Sequence, residues 1–341
     1  MISFENDYNT GAHKKVLQRL IDTNLDATSG YGNDKYCDSA KEKIAEICGV
    51  DSADIHMLVG GTQTNSIIIA TMLNDCEGVI SADTGHINVH EAGAIEYTGH
   101  KIITLPNKSG KLEASYLGEY LRVFYSDPTK HHMVYPGMVY ISLPTELGTI
   151  YSKSELKALY DVCRKYEIPL FIDGARLIYA LACEDCDLSL KDIARYCDVF
   201  YIGGTKCGTL FGEAVVFTKN NTPKYFDTLI KQHGALLAKR WLIGMQFDTL
   251  FTDDLYVEIG KHTIETAMYL KKVFIEKGHR LYIDSPSNQQ YVIFEDSFIK
   301  KLEKDVKFGF WEKIDENHTA VRFVTSWSTK IENIDKLKEL L

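Results

Sequence analysis

The sequence contains no uncharged apolar run near the ~20 residues that a transmembrane helix needs, so we expect no membrane partner. It has no basic excess either. The 38 lysines and arginines against 47 aspartates and glutamates give a net charge of −9, which disfavours nucleic acid as a partner. Neither the Gly-Lys-Ser/Thr of a P-loop nor the GxGxxG dinucleotide fingerprint occurs. These absences disfavour membrane proteins, nucleic-acid-binding proteins and the commonest nucleotide-binding classes.

The eight cysteines show no disulfide-framework spacing, and the first residues lack the apolar core of a signal peptide. We therefore expect free thiols in a reducing cytoplasm. Cys183 and Cys186 have CxxC spacing, but no second pair and no histidine cluster completes a zinc site, so we expect no metal. The 341 residues suffice for a large domain and a smaller lobe, and no repeat or proline-rich linker separates them.

Helix and strand patterns alternate from residue 40 to about residue 220, which indicates an α/β fold with a buried, mostly parallel, seven-stranded sheet. The predicted strands are 56–59, 78–81, 101–105, 138–142, 169–172, 199–202 and an antiparallel strand at 214–217. The predicted helices include 38–49, 63–73 and 154–166. A helical stretch after residue 222 leads to short strands and a final helix. We therefore expect a large domain at 1–245 and a small α+β domain at 246–341, joined by a long helix.

A lysine and an aspartate follow two of these strands. Asp173 comes directly after the apolar run at 169–172, and Lys206 lies in the glycine-rich loop after the next strand. Pyridoxal phosphate (PLP) enzymes need a lysine to form a Schiff base with the cofactor and a carboxylate to keep its pyridine nitrogen protonated. A surface lysine and a helix N-cap aspartate are the alternative, but an N-cap does not explain the pairing. The sequence therefore predicts PLP as the cofactor.

A glycine turn fits the phosphate of that cofactor. Gly60, Gly61 and Thr62 follow a strand and open a helix, where backbone N–H groups and a hydroxyl bind phosphate. We expect the hydroxyl of Thr205 to contact the phosphate as well, together with a cation at Lys239 or Arg240.

His86 follows a strand exit, where side chains face the ligand crevice of an α/β sheet. An imidazole there can stack on the pyridine ring and move protons at neutral pH. His90 is an alternative for that role, and a solvent-exposed or capping histidine is the alternative for His86. Glu91 is expected to be structural.

Ordered motifs along nearly the whole chain resemble the low-specificity L-threonine aldolase and beta-eliminating lyase family, fold-type I PLP enzymes with the aspartate aminotransferase-like fold. The matching stretches are Asn6-Asp7, Gly30-Tyr31-Gly32-Asn33-Asp34, Gly60-Gly61-Thr62, His86-Ile87 with Glu91-Ala92-Gly93-Ala94, Asp173-Gly174-Ala175-Arg176-Leu177, Thr205-Lys206 and Val321-Arg322-Phe323-Val324-Thr325. The resemblance implies a lyase that cleaves threonine, allo-threonine and related β-hydroxy-α-amino acids to glycine and an aldehyde by retro-aldol chemistry. It implies that Lys206 forms the Schiff base, that Asp173 pairs with the pyridine nitrogen and that His86 stacks on the ring.

The resemblance also implies how substrate is held. Arg176, beside the cofactor, and Arg322 would clamp the amino-acid carboxylate, a task that suits the planar fork of arginine. Asn6 stands where the family usually has a serine that contacts this carboxylate. Tyr31 would approach the cofactor of a neighbouring subunit, so a homodimer or homotetramer with shared active sites is expected.

The chain departs from the family after the strand at 138–142. Leu143-Pro144-Thr145-Glu146 replaces a glutamate-asparagine-threonine-histidine run, so Glu146 stands in place of a histidine that assists proton transfer. Glu146 and His86 are the candidate bases for the β-hydroxyl proton. A carboxylate needs its pKa raised by burial from about 4.3 for this role. Residues 231–240 also lack the glycine-rich, arginine-glutamine sequence that the family has in this segment.

Other functions share these features. Another fold-type I PLP enzyme (a β-eliminating lyase, an aminotransferase or an amino-acid racemase) would use the same cofactor residues. A binding or scaffold protein that has lost catalysis would have no need for a Schiff-base lysine beside a carboxylate clamp, which favours an enzyme.

Overall fold

The computed structural model describes residues 1–51 and 54–341. The strands are β1 (Ile2–Ser3), β2 (Ile55–Leu58), β3 (Glu77–Ala82), β4 (Ile102–Leu105), β5 (Asn107–Lys108), β6 (Lys111–Leu112), β7 (Tyr135–Ser142), β8 (Leu170–Asp173), β9 (Val199–Gly203), β10 (Glu213–Phe217), β11 (Arg280–Ile283), β12 (Gln289–Glu295), β13 (Val306–Lys307), β14 (Gly309–Lys313) and β15 (His318–Val324). The α-helices are α1 (Lys14–Thr23), α2 (Lys35–Cys48), α3 (Gly61–Met72), α4 (His86–Val89), α5 (Ala94–Tyr97), α6 (Ala114–Ser126), α7 (Lys153–Lys165), α8 (Leu177–Leu181), α9 (Leu190–Arg195), α10 (Phe226–Gln232), α11 (Trp241–Leu250), α12 (Leu255–Glu276), α13 (Asp296–Leu302) and α14 (Ile331–Leu340).

Seven strands form the central sheet in the order β2-β10-β9-β8-β7-β3-β4. β10 runs antiparallel to both of its neighbours, and all other neighbouring pairs are parallel. The prediction of a mostly parallel sheet with an antiparallel strand at 214–217 is confirmed. Because β10 is reversed, its first residue lies at the same edge of the sheet as the carboxyl ends of β2 and β9.

Both faces of this sheet are buried. Along β9, Val199 and Tyr201 belong to one hydrophobic core and Phe200 and Ile202 to the other, since successive side chains of a strand point to opposite faces. Helices α2, α6, α7 and α9 contribute to the core on one face, and α3 and α10 to the core on the other. Each fully buried large apolar side chain contributes roughly 1.5–3 kcal/mol, so strands buried on both faces fix the sheet register firmly.

Capping residues set the helix boundaries. The carboxylate of Asp34 accepts hydrogen bonds from the backbone N–H groups of Tyr36 and Cys37, so α2 begins three residues before the predicted start at 38. It ends at Gly49, whose left-handed φ of 71° suits glycine. α7 begins after Ser152, which forms a capping box with Glu155.

The C-terminal lobe contains a four-stranded antiparallel sheet in the order β11-β12-β15-β14, which packs against α12 and α14. The 22-residue helix α12 leads into this lobe, as predicted for a long connecting helix. β14 was not predicted, because its edge position leaves most of its residues exposed and removes the apolar alternation. β1 pairs with β13, and Phe4 lies in the core of the lobe, so the lobe holds the start of the chain. The domain boundary at residue 245 stays a prediction.

Along residues 1–51 and 54–341, no helix combines the length and apolar character required to cross a membrane.

Candidate active site

The carboxyl ends of the parallel strands border a cavity of about 360 Å³, where α/β sheets typically bind ligands. Its lining includes the predicted residues Gly61, Thr62, His86, Glu146, Asp173, Arg176, Thr205 and Lys206. It also includes His90, the predicted alternative to His86. Five further lining residues were not predicted as site residues: Tyr8, Glu91, Ser142, Tyr201 and Glu213. Side chains from the start of the chain and from several strand exits thus meet in one place.

Asp173 is held as a carboxylate at the end of β8. The hydroxyls of Tyr201 and Tyr140 donate to its two oxygens at 2.5 and 2.7 Å, and the backbone N–H of Ala175 donates at 3.0 Å. Burial raises the pKa of Asp173, but the neighbouring His86 and these hydrogen bonds outweigh burial and lower the pKa below its usual value. The charge at neutral pH is the one that a protonated pyridine nitrogen needs as its partner.

Lys206 lines the cavity, with Nζ 6.0 Å from the centre of the Tyr8 ring. Burial lowers the pKa of Lys206 and the charge of Arg176 lowers it further, although Asp7 and Asp173 act in the opposite direction. A lysine in such surroundings is more readily deprotonated than an exposed lysine, and the unprotonated amine is the nucleophilic form.

His86 is oriented by a buried acid. Its Nδ1 lies 2.7 Å from Oε1 of Glu91, whose side chain is 0% exposed. The amide of Asn65 donates to the same Glu91 oxygen at 2.7 Å and to Oδ2 of Asp173 at 3.0 Å. Glu91, expected to be structural, therefore fixes the ring and leaves Nε2 free for other partners. Asn65 was missed, although its position one turn into α3 after the glycine turn is a signal that it faces the same edge.

Glu146 reaches the cavity from the loop after β7. Its Oε1 accepts from the backbone N–H of His86 at 2.9 Å and from the hydroxyl of Ser142 at 2.5 Å. Burial raises the pKa of Glu146 above its usual value. His90 differs, because burial and the neighbouring His86 lower its pKa, which keeps that imidazole neutral near pH 7. The raised pKa makes Glu146 a stronger base, whereas the lowered pKa leaves His90 unprotonated but a weaker base.

Arg176 already has a partner in this chain. Its Nε and Nη2 donate to the two oxygens of Asp7 at 2.6 and 3.0 Å, and Asn288 donates to Asp7 at 2.9 Å. One edge of the guanidinium is thereby used, and the edge that contains Nη1 remains for a carboxylate ligand. The prediction for Asn6 is not met in this geometry, because its side chain accepts from the N–H of Tyr8 at 3.0 Å and lies outside the cavity lining.

The two other predicted substrate residues also lie outside that lining. Arg322 donates from Nη1 to Gln289 at 3.2 Å, and its charge still acts on the cavity residue His90. Tyr31 is 46% exposed, and Nζ of Lys231 lies 4.3 Å from the centre of its ring. Its exposure is compatible with contact to a neighbouring subunit.

The predicted cations for a phosphate lie away from the cavity of their own chain. Arg240 is buried, donates from Nε to the carbonyl oxygen of Met57 at 2.8 Å and lies 3.7 Å from Asp227. Lys239 is exposed on the surface. The hydroxyl of Thr205 is used internally, since it donates to Glu213 at 2.7 Å. The predictions for Lys239 and Arg240 therefore have no support within one chain, whereas Thr205 lines the cavity but directs its hydroxyl to Glu213.

The glycine turn itself is open. No side chain caps the N-terminus of α3, and a Cβ on Gly60 would meet no atom within 4 Å. A Cβ on Gly61 would lie 3.2 Å from the hydroxyl of Tyr201, which is bound to Asp173. The turn thus offers uncapped N–H groups beside open space, as an anion requires. Gly60 itself lies next to the lining residues rather than among them.

Comparison with known proteins gives consistent results. The sequence profile of the beta-eliminating lyase family matches residues 4–299. The low specificity L-threonine aldolase of Pseudomonas aeruginosa is 27% identical over 98% of this chain and 95% of its own. The solved structure of Leishmania major threonine aldolase, 40% identical, covers 100% of this chain and 98% of its own with a TM-score of 0.95. Thermus thermophilus aspartate aminotransferase, 14% identical, covers 100% of this chain and 90% of its own with a TM-score of 0.71, which shows a shared fold alone.

Proposed function

Because this chain belongs to the beta-eliminating lyase family and is therefore a lyase, we propose that it cleaves threonine, allo-threonine and related β-hydroxy-α-amino acids to glycine and an aldehyde, with PLP as cofactor. One observation carries the proposal: a single cavity is lined by Lys206, the ionised Asp173 and a guanidinium edge of Arg176. The threonine aldolases among its relatives support this substrate class over the other PLP reactions.

The residues present fit PLP. Lys206 would hold the aldehyde carbon, Asp173 the pyridine nitrogen, and the N–H groups of Gly61 and Thr62 the phosphate. When bound, PLP supplies an electron sink for the pair released as the Cα–Cβ bond breaks. The donor set supports this fit, because a charged acid, an activatable amine and an uncapped helix N-terminus line the same space.

The chain itself binds the substrate and moves its protons. The Nη1 edge of Arg176 binds and orients the amino-acid carboxylate, because Asp7 holds the other edge in place. Glu146 takes the β-hydroxyl proton on Oε2, since Oε1 already accepts two hydrogen bonds. Its raised pKa increases the affinity of the carboxylate for that proton. His86, held by Glu91, is the other candidate base.

The assembly and location follow the same proposal. The chain forms a homodimer or homotetramer with shared active sites, in which Tyr31 approaches the cofactor of a neighbouring subunit and the exposed Lys239 supplies the cation for its phosphate. The exposure of Tyr31 and Lys239 supports this arrangement. All eight cysteines are free thiols, which supports a reducing compartment such as the cytoplasm.

A product assay tests the reaction. The PLP-loaded protein is incubated with threonine, allo-threonine and phenylserine, and with cysteine and serine in parallel. We expect glycine and the matching aldehyde in equal amounts from the first three. Pyruvate and ammonia from cysteine or serine, without glycine from threonine, would assign the chain to β-elimination instead.

A variant tests the base. Glu146→Gln should lower kcat for threonine by about 10²-fold, the lower range of general base catalysis, while cofactor absorbance is retained. Glu46→Gln, on the exposed face of α2, is the matched control and should keep the wild-type kcat. Unchanged turnover in Glu146→Gln would remove Glu146 from this role.

A further inference from the structure

Glu213 is a cavity acid to which the proposed mechanism assigns nothing. It is 2% exposed and is the first residue of β10. It pairs with Gly203 at the end of β9 and with Leu58 at the end of β2. It therefore lies between the lysine loop and the glycine turn, at the end of the cavity where the phosphate of the cofactor would bind.

The hydrogen bonds of Glu213 are those of an acceptor. Oε2 accepts from the N–H of Gly204 at 3.1 Å, and Oε1 accepts from the hydroxyl of Thr205 at 2.7 Å. The Thr205 oxygen accepts in turn from the N–H of Gly212 at 3.1 Å. Among the residues that the structure describes, no lysine or arginine forms an ion pair with Glu213. An anion placed beside it would meet a carboxylate whose charge is not cancelled by direct contact.

The ionisable groups that act on Glu213 come from strands β8 and β9, from helix α12 and from the lysine loop. They are Lys206, Asp173, Tyr201, Tyr256 and Cys207. Burial raises the pKa of Glu213 to about 8, although the Thr205 hydrogen bond and the charge of Lys206 act against burial. Both protonation states are therefore accessible near neutral pH.

We propose that binding of the cofactor phosphate at Gly61 and Thr62 is coupled to protonation of Glu213. This inference rests on the proposed function, because it requires that PLP binds in this cavity. A phosphate dianion repels ionised Glu213 and stabilises its neutral form. If the hydroxyl of Thr205 turns toward the phosphate, Glu213 also loses a donor that favours the carboxylate, which acts in the same direction.

The coupling fixes the sign of a pH dependence. When the ligand-bound state holds one proton more than the free state, affinity falls as pH rises above the pKa of the free group. One coupled proton changes the dissociation constant by at most about tenfold per pH unit. The decline should therefore begin near pH 8, the value to which burial raises the pKa of free Glu213.

Calorimetry with pyridoxine 5′-phosphate tests the coupling. This probe has the phosphate but no aldehyde, so it forms no bond with Lys206, and its phosphate is largely a dianion above about pH 7. Cofactor-free protein is titrated from pH 7 to pH 9.5 in two buffers of different ionisation enthalpy. We expect proton uptake on binding and a dissociation constant that rises above pH 8.

The Glu213→Gln variant isolates the contribution of Glu213 to the pH dependence of probe binding. Burial lowers the pKa of Lys206 as well, so this lysine can contribute to the proton exchange, and the measured quantity is the difference in slope between wild type and variant. We expect Glu213→Gln to bind with a shallower pH dependence, up to about tenfold tighter relative to wild type at pH 9. Glu46→Gln has the same change of net charge on the exposed face of α2 and should keep the wild-type slope.

Each outcome decides the question. Equal slopes in wild type and Glu213→Gln, or binding without proton uptake, would overturn the coupling and leave the cofactor proposal intact. If Glu213→Gln does not fold, the two-buffer measurement is made on Lys206→Ala, in which Lys206 takes up no proton. Uptake that persists there supports the coupling, and its loss overturns it. No binding of the probe at any pH would overturn the coupling, and if PLP itself then also fails to bind and to change the absorbance of the protein, the proposed cofactor is overturned with it.

Discussion

Replacing Asp7 by alanine should destabilise the protein by about 3–5 kcal/mol, the usual cost of leaving one member of a buried ion pair without its partner. Arg176 donates two hydrogen bonds to Asp7, and the two side chains are 13% and 0% exposed. Water therefore has little access to the carboxylate of Asp7. Asn288 loses an acceptor as well but keeps its bond to the carbonyl oxygen of Thr325 at 2.9 Å. The charge of Arg176 accounts for most of the loss.

Asp7→Asn should cost less, roughly 1–3 kcal/mol, because the amide fills the space and still accepts one hydrogen bond. Urea unfolding followed by fluorescence gives the midpoints of the variants and of the wild type. Glu276→Gln is the control: its ion pair with Lys338 is exposed, so the midpoint should not move. A wild-type midpoint for Asp7→Ala would refute the reasoning, because the pair would then contribute nothing to the folded state.

The same pair predicts how stability depends on pH. Burial raises the pKa of Asp7, but Arg176 and its hydrogen bonds outweigh burial and hold the pKa below its usual value. Stability from such a group is complete above the unfolded pKa of about 3.9 and is lost as pH falls toward the folded pKa. The difference in free energy of unfolding between wild type and Asp7→Asn should thus be constant from pH 7 to pH 5 and shrink below about pH 4. A constant gap at pH 3.5 would contradict this account.

Two further variants test the site. Glu91→Gln should lower kcat for threonine by about tenfold or more, with KM nearly unchanged and an altered pH profile, because His86 loses the carboxylate that fixes its ring; an unchanged pH–kcat profile would show that His86 does not depend on Glu91. Arg322→Gln should raise KM for threonine about tenfold, since a charge-assisted hydrogen bond contributes ~1.5–3 kcal/mol, and should leave kcat nearly unchanged; an unchanged KM would remove Arg322 from substrate binding.

The pairing of Asp173 with Lys206 could be predicted because it depends on local pattern alone. Each follows an apolar run, and neighbouring runs in an α/β pattern usually become neighbouring parallel strands. The structure pairs β8 with β9 in parallel, with Phe171 opposite Val199. Once that register exists, the two strand exits lie at the same edge, and no long-range information is needed to bring the side chains together.

The partner of Arg176 could not be predicted in the same way. Asp7 lies 169 positions earlier, and the contact depends on where β1 places the start of the chain. The Asn6-Asp7 motif was recognised, but only Asn6 was assigned a role, as a contact to the substrate carboxylate, and Asp7 was assigned none. Arg240 shows the same difficulty, since the packing of α11 near β2 directs its guanidinium to the carbonyl oxygen of Met57. Contacts that depend on the approach of distant segments leave no periodic signal.

Three of the four acids that line the cavity, Asp173, Glu146 and Glu213, have pKa values that their surroundings shift to different extents or in different directions. Hydrogen bonds and His86 keep Asp173 ionised, burial raises the pKa of Glu146, and burial raises that of Glu213 to about 8. Titratable groups whose pKa values are shifted apart in this way have different acid–base roles within one site. A fixed negative charge suits the pyridine nitrogen, an accessible base suits the substrate hydroxyl, and a neutral acid suits the phosphate end. If all three were ionised at pH 7, their mutual repulsion would oppose the binding of an anionic cofactor, so the separation is itself a requirement of the proposed chemistry.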